Sequence, residues 1–97
     1  MSQYDVRVSP AARKKLLALP ESSFKKIQKL ISTLRGMPRV GTVYDPVYEA
    51  AKPPFECRVA YAGRYGLYYT VHEDEGLLYI RFVEDQSMDP RLRFRGR

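Results

Sequence analysis

Between residues 55 and 85 the chain alternates apolar and polar side chains in three consecutive runs, and this stretch restricts the possible folds more than any other. Phe55, Cys57, Val59 and Tyr61 alternate with Glu56, Arg58 and Ala60. Leu67, Tyr69 and Val71 alternate with Tyr68, Thr70 and His72, and Leu78, Ile80 and Phe82 with Tyr79, Arg81 and Val83. Successive side chains of a strand point to opposite faces, so alternation rich in Tyr, Val, Ile and Phe predicts half-buried antiparallel strands. Ala62-Gly63-Arg64 and Glu73-Asp74-Glu75-Gly76 supply the turns between them. A three-stranded meander is expected, with the apolar positions on one face.

The residues before it read as a short strand, two helices and a long connection. Tyr4, Val6 and Val8 alternate with Asp5 and Arg7 in a short strand over 4–8. Ser9-Pro10 then places an N-capping hydroxyl before a proline at the first helical position, where its missing N–H costs nothing. The helix runs to about Leu19, burying Ala12, Leu16 and Leu19, and Pro20 ends it. A second helix opens at Pro20-Glu21-Ser22-Ser23 and carries Phe24, Ile27, Leu30, Ile31 and Leu34 at helical spacing, with Lys25, Lys26, Gln28 and Lys29 on the other face. Gly36 and Met37-Pro38 stop it. The apolar side of this hairpin needs a surface to cover, and the sheet is the candidate. Residues 37–54 form a long connection with a turn of helix near Val47–Ala51, in which Tyr44 and Tyr48 serve packing or a partner contact. From Gln86 a basic tail follows, with a helical turn after Asp89-Pro90 and then a mobile end. The expected fold class is α+β, one domain over residues 1–97 in the order β-α-α-β-β-β.

Charge is unevenly placed. Residues 11–39 hold eight basic groups against the single acid Glu21, residues 40–90 hold four against nine, and the last seven hold four arginines and no acid. Such a distribution points to a polyanion or an acidic protein partner, although lysines that merely solvate helix faces look the same. One cysteine and one histidine lead to no expected disulfide, metal site or cofactor. No apolar run is long enough to span a membrane and the start lacks a signal-peptide pattern, so a cytoplasmic protein is expected.

Tyr4–Ser9 leading straight into the hairpin, the Leu19-Pro20 break and the segment RVAYAGRYGLYYTV at 58–71 resemble the RelE/ParE superfamily of toxins from type II toxin–antitoxin systems. The resemblance covers residues 4 to about 94 and implies one fold with two activities. RelE-like members cleave mRNA in the ribosomal A site, whereas ParE-like members inhibit DNA gyrase and cut nothing. Both are neutralised by an antitoxin encoded alongside.

The resemblance implies residue roles as well. RNA cleavage through the ribose 2′-OH requires a base, a neutralised phosphate and a proton for the leaving oxygen. Arg58 matches the family's strand arginine, and Arg81 lies on the last strand; the two form a phosphate clamp if register puts them on one face. Where many nucleases of the family carry histidine or arginine after the last strand this chain has Glu84-Asp85-Gln86, so Glu84 or Asp85 would be the base. The late aromatic is Phe94, without a hydroxyl, and His72 is a lesser candidate base. Lys14, Lys15, Lys25, Lys26, Lys29, Arg64, Arg91 and Arg93 would contact nucleic acid, with Tyr68 the exposed tyrosine that stacks on a base. The function expected is that of a ribosome-dependent mRNA endoribonuclease toxin acting on ribosome and mRNA, held in a hetero-oligomer with an acidic antitoxin. The alternatives are a gyrase inhibitor or a binder that has lost catalysis.

Overall fold

A computed structural model describes residues 3–44 and 57–94. The order is β1 (Asp5–Val8), α1 (Pro10–Leu17), α2 (Glu21–Gly36), β2 (Thr42–Val43), β3 (Arg58–Ala62), β4 (Tyr65–His72) and β5 (Leu77–Asp85), with short 3₁₀ turns at Glu73–Glu75 and Pro90–Leu92. The strands form one sheet in the order β1-β5-β4-β3-β2. The meander β3-β4-β5 is antiparallel as its alternation requires, and β1 joins β5 in parallel, so the sheet is mixed. Strand β2 has no counterpart in the sequence reading, because two residues cannot display an alternation. The helical turn expected near Val47–Ala51 and the role of Tyr48 lie outside the described residues.

Local chemistry sets the helix ends. Ser9 Oγ accepts from the Ala12 amide at 3.1 Å, capping α1, and donates to the Arg81 carbonyl at 2.5 Å, which fixes the start of the helix against β5. Pro20 separates the helices. The apolar stripe of α2 buries Ile27 and Leu34 on a core completed by Ala12, Ala60, Leu67, Tyr69, Leu78, Ile80 and Val83.

The sheet is buried on its helix face and over half of the other, which corrects the expectation of a single apolar face. Cys57, Val59, Tyr68, Phe82 and Phe94 make a second cluster on the side away from the helices. Two physical causes produce it. Across β3 and β4, Arg58 pairs with Tyr69 and Val59 with Tyr68, so Arg58 and Ala60 face the helices while Val59 faces away. In β5 the register slips at Tyr68/Tyr69, so that Phe82 and Ile80 flank an extra residue, Arg81. This bulge carries Phe82 to the far face and returns Val83 to the helix side. Tyr68, expected to be exposed, is therefore 0% accessible. The tail makes the helical turn expected after Asp89-Pro90, at Pro90–Leu92, but in place of the expected mobile segment it packs on the far face as far as Phe94, which is 2% accessible.

Tyr69 ties the loop after α2 to the sheet. Its hydroxyl donates to the Pro38 carbonyl at 2.7 Å and accepts from the Gly41 amide at 3.1 Å. A Cβ at Gly41 would collide with that hydroxyl and lie 2.8 Å from the Val59 carbonyl. Because the second obstacle is backbone, Gly41→Ala is expected to lower stability by about 1–2 kcal/mol in urea denaturation.

Candidate functional site

The sequence candidates for catalysis do not meet. Arg58 lies on the helix side, where its Nη1 donates to the Gly41 carbonyl at 2.7 Å, whereas Arg81 contacts side chains of the opposite face. The register thus answers the clamp question in the negative. Glu84 is 4% accessible; one carboxylate oxygen accepts from the Phe94 amide at 3.3 Å and the other is 3.6 Å from Lys15 Nζ. Asp85 accepts from the Ser87 amide and hydroxyl at 2.9 and 2.7 Å and from Arg64 at 2.5 Å. The Ser87 hydroxyl and the Arg64 guanidinium hold its carboxyl down to about 2, which makes it a poor proton acceptor.

That depression has a consequence for stability. A carboxyl whose pKa falls on folding stabilises above its unfolded value, near 3.9, and loses that contribution as pH drops toward 2. The unfolding midpoint is expected to fall between pH 4 and pH 2, and the Asp85→Asn variant should show a smaller fall over the same interval.

Half of the far face is closed. Phe94 covers Tyr68 and Phe82 with ring centroids 4.9 and 5.1 Å away, and Tyr44 meets Tyr68 at 4.8 Å, all edge to face. The Tyr68 hydroxyl accepts from Gln86 Nε2 at 3.1 Å, and burial pushes its ionisation well above the usual phenol range. It is a core residue and cannot stack on a base.

The other half of that face is accessible and polar. The Arg81 guanidinium stacks on the Tyr79 ring at 4.2 Å, and its Nε donates to Thr70 Oγ1 at 3.3 Å. Thr70 Oγ1 is 2.9 Å from His72 Nε2. The alternation of β4 sets Thr70 and His72 on one face, and the register sets Tyr79 opposite Thr70. Arg7 of β1 lies beside Tyr79 in the parallel pairing. A planar cation on an aromatic ring beside a hydroxyl and an imidazole can hold an anion and move a proton. Sequence reasoning named Arg81 and His72 and missed Thr70 and Tyr79. The period-two pattern links Thr70 to His72, but the bulge that turns Arg81 toward them has no sequence mark.

The basic residues are dispersed. Lys25 pairs with Glu21 at 3.3 Å, Arg64 with Asp85, Lys15 with Glu84 and Arg91 with Asp89 at 2.6 Å. Lys26 approaches the Gly63 turn, while Lys14 and Lys29 are exposed on their helices. Arg93 is half-buried against the Gln86 carbonyl. Among the described residues no helix is long and apolar enough to cross a membrane.

Solved structures share this architecture. The RelBE2 toxin–antitoxin complex of Mycobacterium tuberculosis matches with a TM-score of 0.71 at 23% identity over 91% of this chain and 97% of that one. The RelE–RelB complex of Pyrococcus horikoshii gives 0.67 at 17% over 90% and 99%, and isolated Escherichia coli RelE gives 0.70 at 14% over 89% and 87%. Identities this low carry the fold alone. No curated protein sequence matches significantly. The family profile described as the ParE toxin of the type II toxin–antitoxin system parDE matches residues 6–90. With that profile spanning nearly the whole chain, and its helical hairpin and mixed sheet of the RelE type, the protein belongs to the ParE toxin family of the RelE/ParE superfamily.

Proposed function

We propose that this toxin acts by holding its target rather than by cutting RNA, with DNA gyrase as the target that ParE-like members share. One observation carries the reading: the four residues that would have cleaved RNA are each committed elsewhere or kept apart. Arg58 holds the Gly41 loop on the helix side, Glu84 is buried under Phe94, Asp85 is engaged by Arg64 and Ser87, and Arg81 is alone among them on the open face. The expected base and clamp would have to be dismantled from structural contacts before they could act. Membership in a toxin–antitoxin family supports an antitoxin as the partner, and the uneven charge supports an acidic one. Gyrase and antitoxin would both be met in the cytoplasm.

A second reading, ribosome-dependent mRNA cleavage, is favoured by the Arg81–Thr70–His72 arrangement, which offers a phosphate donor next to an imidazole. The deciding experiment runs two assays on one purified preparation. Loss of gyrase supercoiling with intact message in a translation reaction supports target holding. Cuts mapped by primer extension only when ribosomes are present, abolished by Arg81→Ala and His72→Ala, would replace it with the nuclease.

A further inference from the structure

Across the open half of the far face, two cations flank one aromatic ring. Arg7 of β1 and Tyr79 of β5 stand side by side in the parallel register, and Thr70 of β4 lies opposite Tyr79. Arg81, the extra residue of the bulge, lays its guanidinium over the Tyr79 ring and donates from Nε to Thr70 Oγ1. His72 Nε2 is 2.9 Å from the same hydroxyl. Arg7 is exposed and forms no ion pair among the described residues, and Tyr79, Arg81, Thr70 and His72 are each partly accessible.

The chemistry of this row selects its ligand. Guanidinium, hydroxyl and imidazole are groups that meet phosphate oxygens. There is no apolar pocket beside them, because Phe94 closes the aromatic cluster and Arg81 covers a face of Tyr79. A protein segment therefore finds no anchor for a side chain here, and pairs between exposed charges alone contribute little. A single strand of nucleic acid needs rings on which to stack its bases, whereas Tyr68 is buried and Tyr79 is already stacked. A duplex requires neither pocket nor stacking platform. It presents its phosphates outward, and cations neutralise them.

We propose that Arg7, Arg81, Thr70 and His72 hold the phosphate backbone of double-stranded DNA, recognised by charge and not by sequence. Stacking on Tyr79 holds the Arg81 guanidinium in one plane, so it gives up less side-chain freedom on binding. Acids bound the footprint: Asp5 shares the face of Arg7, and Asp74 and Glu75 lie in the turn beyond His72. Phosphates are thereby confined to the row from Arg7 to Arg81. The inference rests on the target-holding reading for its biological role, with DNA part of what the toxin holds. Its test contains no gyrase, so the two can fail separately.

The test titrates the full chain into a short fluorescent duplex at salt between about 50 and 200 mM, and reads binding by anisotropy. Arg7→Gln and Arg81→Gln should each lower the slope of log K against log salt by about 1 and weaken binding severalfold at the low-salt end. Arg7→Gln changes an exposed position and keeps the fold, so it decides the matter even where Arg81→Gln disturbs the sheet. In NMR spectra the His72 imidazole and Tyr79 ring signals should move on adding the duplex. Lys29→Gln, on α2 across the sheet, should leave the slope unchanged. Parent slopes in both arginine variants, with the His72 and Tyr79 signals unmoved, would overturn the proposal. So would an equal loss in Lys29→Gln, which would assign the binding to overall charge. Tighter binding of a single strand of the same sequence, or equal competition by poly-glutamate, would overturn duplex DNA as the ligand.

Discussion

Phe94→Ala is expected to destabilise the protein by about 3–5 kcal/mol, which against a typical total of about 5–15 is enough to leave a measurable unfolded fraction. The ring is 2% accessible and joins Tyr68, Phe82 and Tyr44, so its removal opens a cavity between aromatic faces. Two features modify the cost. Phe94 lies beyond the last strand, on a segment that can lift away rather than stay over a void, which limits the loss to the free energy of docking it. Its φ of 63° lies in the left-handed region, where a Cβ is unfavourable by about 1–2 kcal/mol. Glycine ordinarily destabilises more than alanine through its unfolded entropy, but at this backbone angle it should match or exceed alanine. Urea denaturation of both variants checks this. A Phe94→Ala protein with the parent's midpoint would show that the tail contributes nothing to the core.

How much of this could be read in advance depended on whether the signal was local. The meander was legible because each strand carries its own alternation, and Ser9-Pro10 and Leu19-Pro20 delimit α1 by cap and break. The superfamily was legible from those elements in order. The site was less so, because each of its errors arises from a relation between strands. Nothing in Tyr79-Ile80-Arg81-Phe82-Val83 announces that Arg81 is an extra residue, yet that one bulge decides the facing of Arg81, Phe82 and Val83. Tyr68 and Tyr69 are equivalent in pattern, and both proved buried because the tail and Tyr44 close the second face. Phe94 was judged by its missing hydroxyl as a catalytic residue, when its hydrophobic area is what the fold uses. The carboxylates were chosen for standing where the family's base stands, and only three-dimensional neighbours reveal that they are already engaged.

Glu84 therefore separates the two accounts by experiment. As a general base it would lose activity on conversion to glutamine while the fold stayed intact. As the group that holds the tail, it keeps an acceptor for the Phe94 amide in Glu84→Gln and loses only the attraction of Lys15, whose side chain is 46% exposed and therefore screened. Glu84→Gln should then cost less than about 1 kcal/mol. Glu84→Ala removes both contacts and leaves the Phe94 amide without its partner in a buried position, so about 2–3 kcal/mol is expected. The order Ala much worse than Gln, with gyrase inhibition by Glu84→Gln equal to that of the parent, supports a structural carboxylate. Full stability together with abolished activity in Glu84→Gln would return Glu84 to chemistry and with it the nuclease reading.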